Sequence, residues 1–487
     1  MEEIALYLNH HVDIKNVILF VGSDFNLQTL EDIFNQTRLS QMVVTGTASG
    51  LFAETILEKV SKLSKEDSYQ VPEQFSYVSL SEISKVKEVD ALVFDGIDNI
   101  KMLFDFWNTG IKMKYLIGNI DERIGNGFVI WECFRKHVEE MYIKTVRQYK
   151  TGQILRWKHN PENEIELSVI FPVYNVAKYL KQCLESITAW DADYVEYIFV
   201  NDGSPDNSAD IIKEYAKKDS RIVLVNKENG GCASARQLGL ETAKGNYVGF
   251  IDPDDYIDPS MYRKLMTGAM TGSYDVCYAG YNEYYESDGT VNKVLDDVFW
   301  PFTDGVTDPL IVHSLITFAR VAIWRGIYKL SMIKNAGIHF YTDIRRFDDL
   351  PFKVEIFTAA KTVYAIPEPL YYYRLQRPGQ DVSANDERLY VHFDIFDHLN
   401  KSIGGTKDPR LIDWLQMCKV QTHRYALLVI KDEFKKEYLD RASKDLKSTG
   451  TFWKTFFMVK KNLGKRAALC YVAMARKSLF LANTVIK

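Results

Sequence analysis

The sequence predicts an α/β protein in which two domains built on parallel sheets are followed by a mainly helical region. Short apolar runs rich in β-branched residues alternate with helical patterns at the start of the chain, and the same alternation begins again at residue 167. This pattern is typical of strand–helix–strand units that form a parallel sheet. Beyond about residue 386 the apolar spacing is mainly helical. We expect four segments: a separate α/β accessory domain (1–150), a linker (151–166), a second α/β domain (167–385) and a basic helical region (386–487).

Composition indicates an ordinary globular protein. Of the 487 residues, 46% are hydrophobic and 26% are charged, the net charge is −5, and we expect no nucleic-acid partner. The six cysteines stand singly without a C-x-x-C pair, which predicts neither a disulfide framework nor a zinc site and favours a reducing compartment. The acidic start lacks a secretory signal pattern, and no run approaches 18 apolar residues. We therefore expect a cytoplasmic protein that is not a channel-forming polymerase.

The first domain carries five apolar runs that predict a five-stranded, mostly parallel sheet: NVILFVG, MVVTG, FSYVSL, ALVFDG and KYLIGN. Glycine turns at residues 22–24 and 46–50 match neither a dinucleotide-binding nor a P-loop pattern. They are interpreted as ordinary strand-to-helix turns, with a ligand site as the alternative and an accessory or partner-binding role for the domain. A long amphipathic helix is predicted from Trp131 to about Lys150.

Three polar turns follow predicted strands of the second domain: PVYN (172–175), NDGS (201–204) and DPDD (252–255). Because the carboxyl ends of parallel strands meet at one edge of a sheet, we expect these turns to gather there. The acidic turn holds three carboxylates within four residues, and like charges this close repel one another unless a cation compensates them. Oxygen ligands favour Mg²⁺ or Mn²⁺. The alternative is a solvated acidic turn that caps the next helix.

Three longer segments of this domain, read in order, resemble family-2 glycosyltransferases. They are SVIFPVYNVAKYLKQCLESI, IFVNDGSPDNSADI and VNKENGGCASARQLGLETAKGNYVGFIDPDDYI, and the similarity continues more weakly through RFDDLPF to YYYRLQRPGQDVS. The resemblance implies a GT-A fold, a nucleotide-diphosphate sugar donor such as a UDP-sugar, and hexosyl transfer with inversion at the anomeric carbon. It also implies a divalent cofactor, Mn²⁺ or Mg²⁺.

The resemblance assigns roles to the residues that match the family's motifs. It puts Pro172, Tyr174 and Asp202 around the nucleotide base, where a ring stacks and a carboxylate accepts a hydrogen bond from a base N–H. Core packing is the alternative for Tyr174, and a helix cap is the alternative for Asp202. Asp252 is expected to face the ribose or the metal, and Asp254 to be the principal metal ligand.

Arginines are the implied cations of the donor site, because a guanidinium offers paired donors to phosphate. Arg236 follows the glycine turn, and a surface salt bridge is its alternative role. Gln237 stands where the family often has Asn, so a neighbouring amide contact differs here. Arg374 and Arg377 lie with Ser383 where the family has a mobile loop over the diphosphate, and we assign Arg377 to the donor.

Inversion in one displacement needs a base on the face of the sugar opposite the leaving group, where it takes the proton of the acceptor hydroxyl. Position in RFDDLPF makes Asp349 that base by resemblance, and Asp348 replaces the family's usual Glu with a shorter side chain. The alternative is an N-cap for the following helix, which Pro351 also suits. Cap and base are compatible roles.

Residues 451–487 contain eight Lys or Arg and no acid, interleaved with aromatic and aliphatic runs. This pattern is typical of a basic amphipathic surface on an anionic membrane, and the alternative is a basic helical bundle packed on the protein's own acidic core. Together with the family resemblance, the tail predicts peripheral attachment to the inner face of the cell membrane. The expected acceptor is a glycan or lipid-linked glycan of a surface polysaccharide.

Rival classes fit these residues less well. A nucleotidyltransferase needs a glycine-rich basic loop that SVIFPVYN lacks, and a processive synthase needs transmembrane helices and a Q-x-x-R-W signature. A non-catalytic carbohydrate- or nucleotide-binding scaffold with the same fold is the alternative from a different class. Intact Asp252, Asp254 and Asp349 argue against it.

Overall fold

The chain divides into two compact units. The first is Met1–Glu164 together with Met270–Ser273, and the second is Ile165–Ala269 together with Tyr274–Lys487. Apart from a few isolated positions, the computed structural model describes residues 13–21, 27–37, 39–46, 50–66, 68–77, 88–95, 111–121, 127–146, 154–160, 162–294, 305–377, 384–406 and 408–485.

The first unit is built on a sheet whose strand order, within its described residues, is β3-β2-β1-β4-β5-β6-β7. Strands β1 to β6 pair in parallel, and β7 pairs antiparallel to β6. The strands are β1 (Asn16–Val21), β2 (Gln41–Gly46), β3 (Gln74–Tyr77), β4 (Ala91–Asp95), β5 (Tyr115–Asp121), β6 (Glu140–Val146) and β7 (Ile154–Lys158). The helices are α1 (Gln28–Gln36), α2 (Gly50–Leu63) and α3 (Gly127–Phe134). The predicted mostly parallel α/β domain is confirmed, but the predicted sheet of five strands lacked β6 and β7.

The predicted long helix from Trp131 to Lys150 is wrong. That stretch contains the end of α3 and then strand β6. Met141, Tyr142 and Ile143 are consecutive and all buried, because β6 lies between β5 and β7 and is covered on both faces. A short apolar run of this kind fits a buried strand as well as a helix. Strand β7 lies in the segment expected to be a linker, and the glycine turns at 22–24 and 46–50 fall largely outside the described residues.

The second unit is built on a larger sheet, with the order β10-β9-β8-β11-β15-β13-β16-β12 among its described residues and β14 paired to β13. Strands β8 to β11 pair in parallel, and β15 pairs antiparallel to β11. The strands are β8 (Leu167–Val173), β9 (Val195–Asp202), β10 (Ile222–Lys227), β11 (Tyr247–Phe250), β12 (Tyr256–Ile257), β13 (Val276–Tyr285), β14 (Val291–Val294), β15 (Gly326–Lys329) and β16 (Val363–Leu375).

Helices flank this sheet and then continue alone to the end of the described chain. Those interleaved with the strands are α4 (Ala177–Thr188), α5 (Ser208–Ala216), α6 (Cys232–Thr242), α7 (Met261–Gly272), α8 (Pro309–Phe318), α9 (Leu330–Ala336) and α10 (Asp349–Ala359). Those that follow the sheet are α11 (Val391–Ile403), α12 (Pro409–Val429), α13 (Asp432–Thr449), α14 (Phe452–Asn462), α15 (Gly464–Ala475) and α16 (Leu479–Val485). The predicted helical carboxyl-terminal region is confirmed.

The centre of the second sheet is formed by strands whose sequences are almost continuously apolar. Every residue of β9 (VEYIFVND) is buried, and in β8 (LSVIFPV) only Pro172 is partly exposed. Burial on both faces is what a parallel sheet covered by helices requires. Strands β9, β8 and β11 are neighbours and parallel, so their carboxyl ends meet at one edge. The three polar turns follow these strands, as predicted.

The last helices pack around a core of their own. This core includes Tyr438 of α13, Val459 of α14 and Met474 of α15, all fully buried. The basic tail is therefore part of a helical bundle, while Trp453 and Phe457 on another face of α14 are 64% and 59% exposed. In the part of the chain that the structure describes, no helix is both long and apolar enough to cross a membrane.

Candidate active site

A cavity of about 970 Å³ lies at the carboxyl ends of β8, β9 and β11. Ligand sites of open α/β sheets lie at this end of the strands. The structure brings together in this cavity the whole set of residues that the sequence analysis selected: Pro172, Tyr174, Asp202, Arg236, Asp252, Asp254, Asp349 and Arg377.

Tyr174 presents an exposed ring at the mouth of the cavity. It follows β8 directly and is 51% exposed, so the alternative of core packing is wrong. The next residue, Asn175, has a left-handed backbone with φ +55°, which ends the strand and turns the chain into α4. Pro172, two residues earlier, lines the same wall. A flat ring held at this place can stack on a planar base.

Asp202 is fully buried and holds the glycine turn. Its two carboxylate oxygens accept hydrogen bonds from the backbone N–H groups of Gly230 (2.9 Å) and Gly231 (2.8 Å). Lys227 Nζ donates a third bond to Asp202, at 2.6 Å. Gly231 has φ +89°, a conformation that side chains disfavour. The helix-cap alternative for Asp202 is wrong, because it is Asp206 that accepts from the first N–H of α5.

Arg236 connects two carboxylates beneath the cavity. One guanidinium N–H donates to Asp252 at 2.6 Å and another to Asp348 at 2.8 Å. Arg236 is only 3% exposed, so the alternative of a surface salt bridge is wrong. A buried cation between two acids offsets their repulsion and fixes their positions. Asp348 is thereby engaged with Arg236, and its side chain does not cap α10.

The acidic turn is held from behind by the long strand β16. Arg374 Nε donates to the backbone carbonyl of Asp254, and the Arg374 backbone N–H donates to the Asp255 carboxylate, both at 2.7 Å. The Tyr371 hydroxyl donates to the same carboxylate at 2.7 Å. Arg374 is buried within β16, so it does not belong to a loop and positions the turn instead. Ser383 lies outside the described residues.

Asp254 faces the cavity and forms an ion pair with Arg377. Burial raises the pKa of the Asp254 carboxyl, Arg377 opposes this rise, and the nearby Asp252 carboxylate adds to it. The ionised form of a buried acid that has a like-charged neighbour is stabilised by a nearby cation. Arg377 supplies that cation in this structure.

Asp349 stands at the first turn of α10 and lines the cavity. Burial raises its pKa to about 7, with Arg236 opposing the rise and Asp348 adding to it. A carboxyl group with this pKa exists in both protonation states near neutral pH. It can therefore take up a proton and release it again, as a general base must.

The carboxylates of the acidic turn suit a divalent cation that brings other ligands with it. Among the described residues no group of three or more metal-ligating side chains occurs. Asp252 and Asp254 together supply two carboxylates, and Mg²⁺ or Mn²⁺ commonly binds one or two and completes its shell with water and substrate phosphates. The ion pair of Asp254 with Arg377 indicates that a positive charge is accommodated there.

One wall of the cavity was missed by the sequence analysis. It comes from the carboxyl-terminal helices and comprises His392 of α11 with Cys418, Gln421, Thr422 and Tyr425 of α12. The α12 residues have the spacing i, i+3, i+4, i+7, which places them on one helical face. That spacing was visible in the sequence, but nothing in it indicated which surface the face would meet.

Comparison with known proteins supports a glycosyltransferase. The family model described as "Glycosyl transferase family 2" matches residues 168–323. The uncharacterized glycosyltransferase EpsJ of Bacillus subtilis is 33% identical over 215 residues, covering 43% of this chain and 60% of EpsJ. The glycosyltransferase GlyG of Streptococcus pneumoniae is 30% identical over 248 residues, covering 49% of this chain and 79% of GlyG. The chain belongs to glycosyltransferase family 2.

A solved structure shows the same fold. The crystal structure of Staphylococcus aureus TarS 1-349 in complex with UDP-GlcNAc aligns with a TM-score of 0.55 and 19% identity, covering 66% of this chain and 90% of that one. The second unit therefore has the expected GT-A fold. The matches to EpsJ and to EpsH of Bacillus subtilis each span 60% of the relative.

Proposed function

We propose that this protein is an inverting, divalent-metal-dependent hexosyltransferase that moves a sugar from a nucleotide diphosphate to an acceptor hydroxyl. The observation that carries the proposal is the presence of Asp349, whose pKa is about 7, in the same cavity as the acidic turn with Asp252 and Asp254. One site thus combines a candidate base with groups suited to a diphosphate.

The nucleotide is proposed to bind where β8 and β9 end. The exposed ring of Tyr174 stacks on the base, with Pro172 beside it. Asp202 shapes this end of the site through the glycine turn and offers a carboxylate oxygen to a base N–H. A UDP-sugar is the proposed donor, and the UDP-GlcNAc complex of TarS, a protein with the same fold, supports that class.

The diphosphate is proposed to lie over the acidic turn. Asp254, with Asp252 beside it, would hold the Mn²⁺ or Mg²⁺, which offsets the charge that grows on the diphosphate as the glycosidic bond breaks. Arg377 pairs with Asp254 and is placed to add a guanidinium to a phosphate. Arg236 keeps Asp252 in place from below.

The proton of the acceptor hydroxyl is proposed to pass to the Asp349 carboxylate. The hydroxyl oxygen then forms a bond to the anomeric carbon while the bond from that carbon to the diphosphate oxygen breaks. Attack and departure occur on opposite faces of the sugar, so the configuration inverts. General base catalysis of this kind contributes about 10²- to 10⁴-fold in rate.

The acceptor is proposed to be a glycan or lipid-linked glycan of a surface polysaccharide, met at the inner face of the cell membrane. Trp453 and Phe457 project from α14 as an exposed pair of stacked rings, 6.1 Å apart, and Lys460 and Lys461 follow on the same helix. Aromatic rings with nearby lysines suit an anionic lipid surface. Lys454 is engaged with Asp413 at 2.5 Å, so only part of the basic tail is available.

A donor-hydrolysis screen tests the proposal. The purified chain is incubated with a panel of nucleotide sugars in Mn²⁺, in Mg²⁺ and in chelator, beside Asp254→Asn. The matched control is Asp210→Asn on the exposed surface of α5. Metal-dependent nucleotide release that is lost in Asp254→Asn and kept in Asp210→Asn supports a transferase. A chain that binds UDP in calorimetry but turns over no donor, with or without added acceptors, contradicts it and favours a non-catalytic scaffold.

A further inference from the structure

A buried chain of polar side chains leads from the helical bundle to the cavity. Lys419 Nζ donates to Asp445 at 2.6 Å, and Asp445 bonds His423 Nε2 at 2.8 Å. The Tyr438 hydroxyl lies 3.0 Å from His423 Nδ1 and 3.0 Å from His392 Nδ1. Among these five residues only His392 also lines the cavity.

Lys419 and Asp445, which lie farthest from the cavity in this hydrogen-bonded series, determine the direction of the hydrogen bonds in the series. Lys419 donates to Asp445 and a carboxylate can only accept, so the His423 nitrogen that faces Asp445, Nε2, carries a proton. Burial opposes ionisation of Asp445, but the bonds from His423 and Lys419 keep its pKa below the ordinary value. In the tautomer that has its proton on Nε2, His423 donates to Asp445 and accepts at Nδ1.

The hydrogen bonds of Tyr438 and His392, which lie nearest to the cavity, are assigned in the same way. Burial keeps the pKa of Tyr438 well above its ordinary value, so the phenol retains its proton and donates it to His423 Nδ1. Its oxygen then accepts from His392 Nδ1–H. Burial lowers the pKa of His392 to about 3, so this ring is neutral near pH 7. His392 Nε2 is left with a lone pair.

His392 Nε2 is unpartnered in the described part of the chain, although His392 is only 3% exposed. The Nε2 atom is not completely enclosed, so a ligand hydroxyl or a water in the cavity that His392 lines can supply its donor. The ring also packs against Phe347, with centroids 5.3 Å apart. Phe347 lies two residues before Asp349 and has φ +56°, which is rare for an aromatic residue and marks backbone strain near the proposed base.

The neighbours of His392 on this wall suit a sugar. Tyr425 is 46% exposed and offers a ring face, and Gln421 and Thr422 on the same face of α12 carry polar side chains with no hydrogen bond inside the part of the unit described. Hydroxyl-rich ligands are bound by a ring face together with fixed hydrogen-bonding groups. The wall is far in sequence from residues 168–323, which the family model matches.

We propose that the wall formed by α11 and α12 is the subsite for a pyranose of the acceptor, in which His392 Nε2 accepts a hydrogen bond from an acceptor hydroxyl. Lys419, Asp445, His423 and Tyr438 act as positioning residues that set the tautomer of His392. The inference rests on the proposed function. It adds that a region outside the nucleotide-binding half of the sheet selects the acceptor.

Two substitutions test the roles of the two ring nitrogens of His392 independently. His392→Asn keeps an N–H near the position of Nδ1 for Tyr438 but leaves nothing at Nε2, whereas His392→Gln places an amide oxygen near Nε2. Sugar transfer to methyl glycosides of glucose, galactose and N-acetylglucosamine is compared with donor hydrolysis by water. We expect the ratio of transfer to hydrolysis to fall about tenfold in His392→Asn, the loss of one hydrogen bond, and less in His392→Gln. The matched control is His398→Asn, a partly buried histidine on α11 that does not line the cavity.

Ring NMR of histidine-labelled protein tests the tautomer directly. The His392 signals are those missing from His392→Asn, and Nδ1–H with a bare Nε2 is expected. Adding the same glycosides in the presence of UDP is expected to shift the Nε2 signal. An Nε2–H tautomer, or an Nε2 signal that none of the glycosides moves, overturns the inference. Absence of both donor hydrolysis and sugar transfer in the wild type would instead contradict the proposed function.

Discussion

Replacing Asp349 by Asn is expected to remove the base while keeping the size of the side chain. In the proposed reaction the acceptor hydroxyl then has no group to take its proton, and the rate of transfer should fall by about 10²- to 10⁴-fold. The affinity for UDP should change little, because the nucleotide is proposed to bind at the other end of the cavity, near Tyr174. UDP calorimetry on Asp349→Asn therefore serves as the control for a correctly folded site.

The pKa of Asp349 gives the pH dependence of the wild-type reaction. The active form is the carboxylate, and its pKa is about 7 because burial outweighs the effect of Arg236. At pH 6 only about one tenth of the molecules carry the carboxylate, so kcat/KM should fall about tenfold per pH unit below pH 7 and level off above it. Activity of Asp349→Asn should lack this acid limb.

The assay is transfer of labelled sugar at low acceptor concentration between pH 5.5 and 8.5. A wild-type profile that stays flat down to pH 5.5 would refute the assignment of the pKa, and an Asp349→Asn rate within tenfold of wild type would refute the base. Thermal stability offers a second check. The folded pKa of Asp349 lies above the unfolded value, so its ionisation costs stability progressively as pH rises from about 4 to 7. The melting temperature of Asp349→Asn should therefore exceed that of wild type at pH 8 and approach it at pH 4.

Three further experiments test other parts of the site and the surface. Tyr174→Ala should weaken UDP binding in calorimetry by about 5- to 100-fold, the range for one stacking contact, with an unchanged melting temperature because the ring is exposed; equal affinity would exclude stacking. Arg236→Met should lower the free energy of unfolding, measured with denaturant, by about 3 kcal/mol or more, because it leaves Asp348 buried and unpaired. Adding Asp348→Asn should recover much of this loss. If the second substitution recovers none of it, the pairing of Arg236 with Asp348 does not explain the loss. Trp453→Ser with Phe457→Ser should reduce cosedimentation with phosphatidylglycerol vesicles and leave donor hydrolysis intact, whereas equal sedimentation would exclude this surface.

The sequence predicted residues that line one cavity because these residues follow strands. Pro172, Asp202 and Asp254 lie in or just after β8, β9 and β11, and the geometry of a parallel sheet brings the ends of such strands together whatever the rest of the chain does. Local pattern was therefore enough to select residues that line one cavity. It was not enough to give their partners.

Partners are set by long-range packing, which a local pattern does not contain. Nothing around Arg236 indicates that it is buried between Asp252 and Asp348, 112 residues away from the latter. The cavity wall of α11 and α12 was missed for the same reason. The error at β6 has a different origin, because a short apolar run satisfies a helical face and a buried strand equally well, and only the pairing with β5 and β7 decides.

The hydrogen bonds that hold the acidic turn from Arg374 affect how the site forms while the protein is synthesised. Arg374 follows Asp254 by 120 residues and Gln182, to which it also donates, by 192. At a synthesis rate of about 5 to 20 residues per second, Arg374 emerges roughly 6 to 24 s after the acidic turn. In the last part of this interval, after residue 323 has emerged, a nascent chain carries the whole segment 168–323 that the family model matches, yet its carboxylates lack the strand that orients them. A nascent chain arrested after residue 323 but before residue 374 has emerged would thus present a recognisable family domain without an organised site.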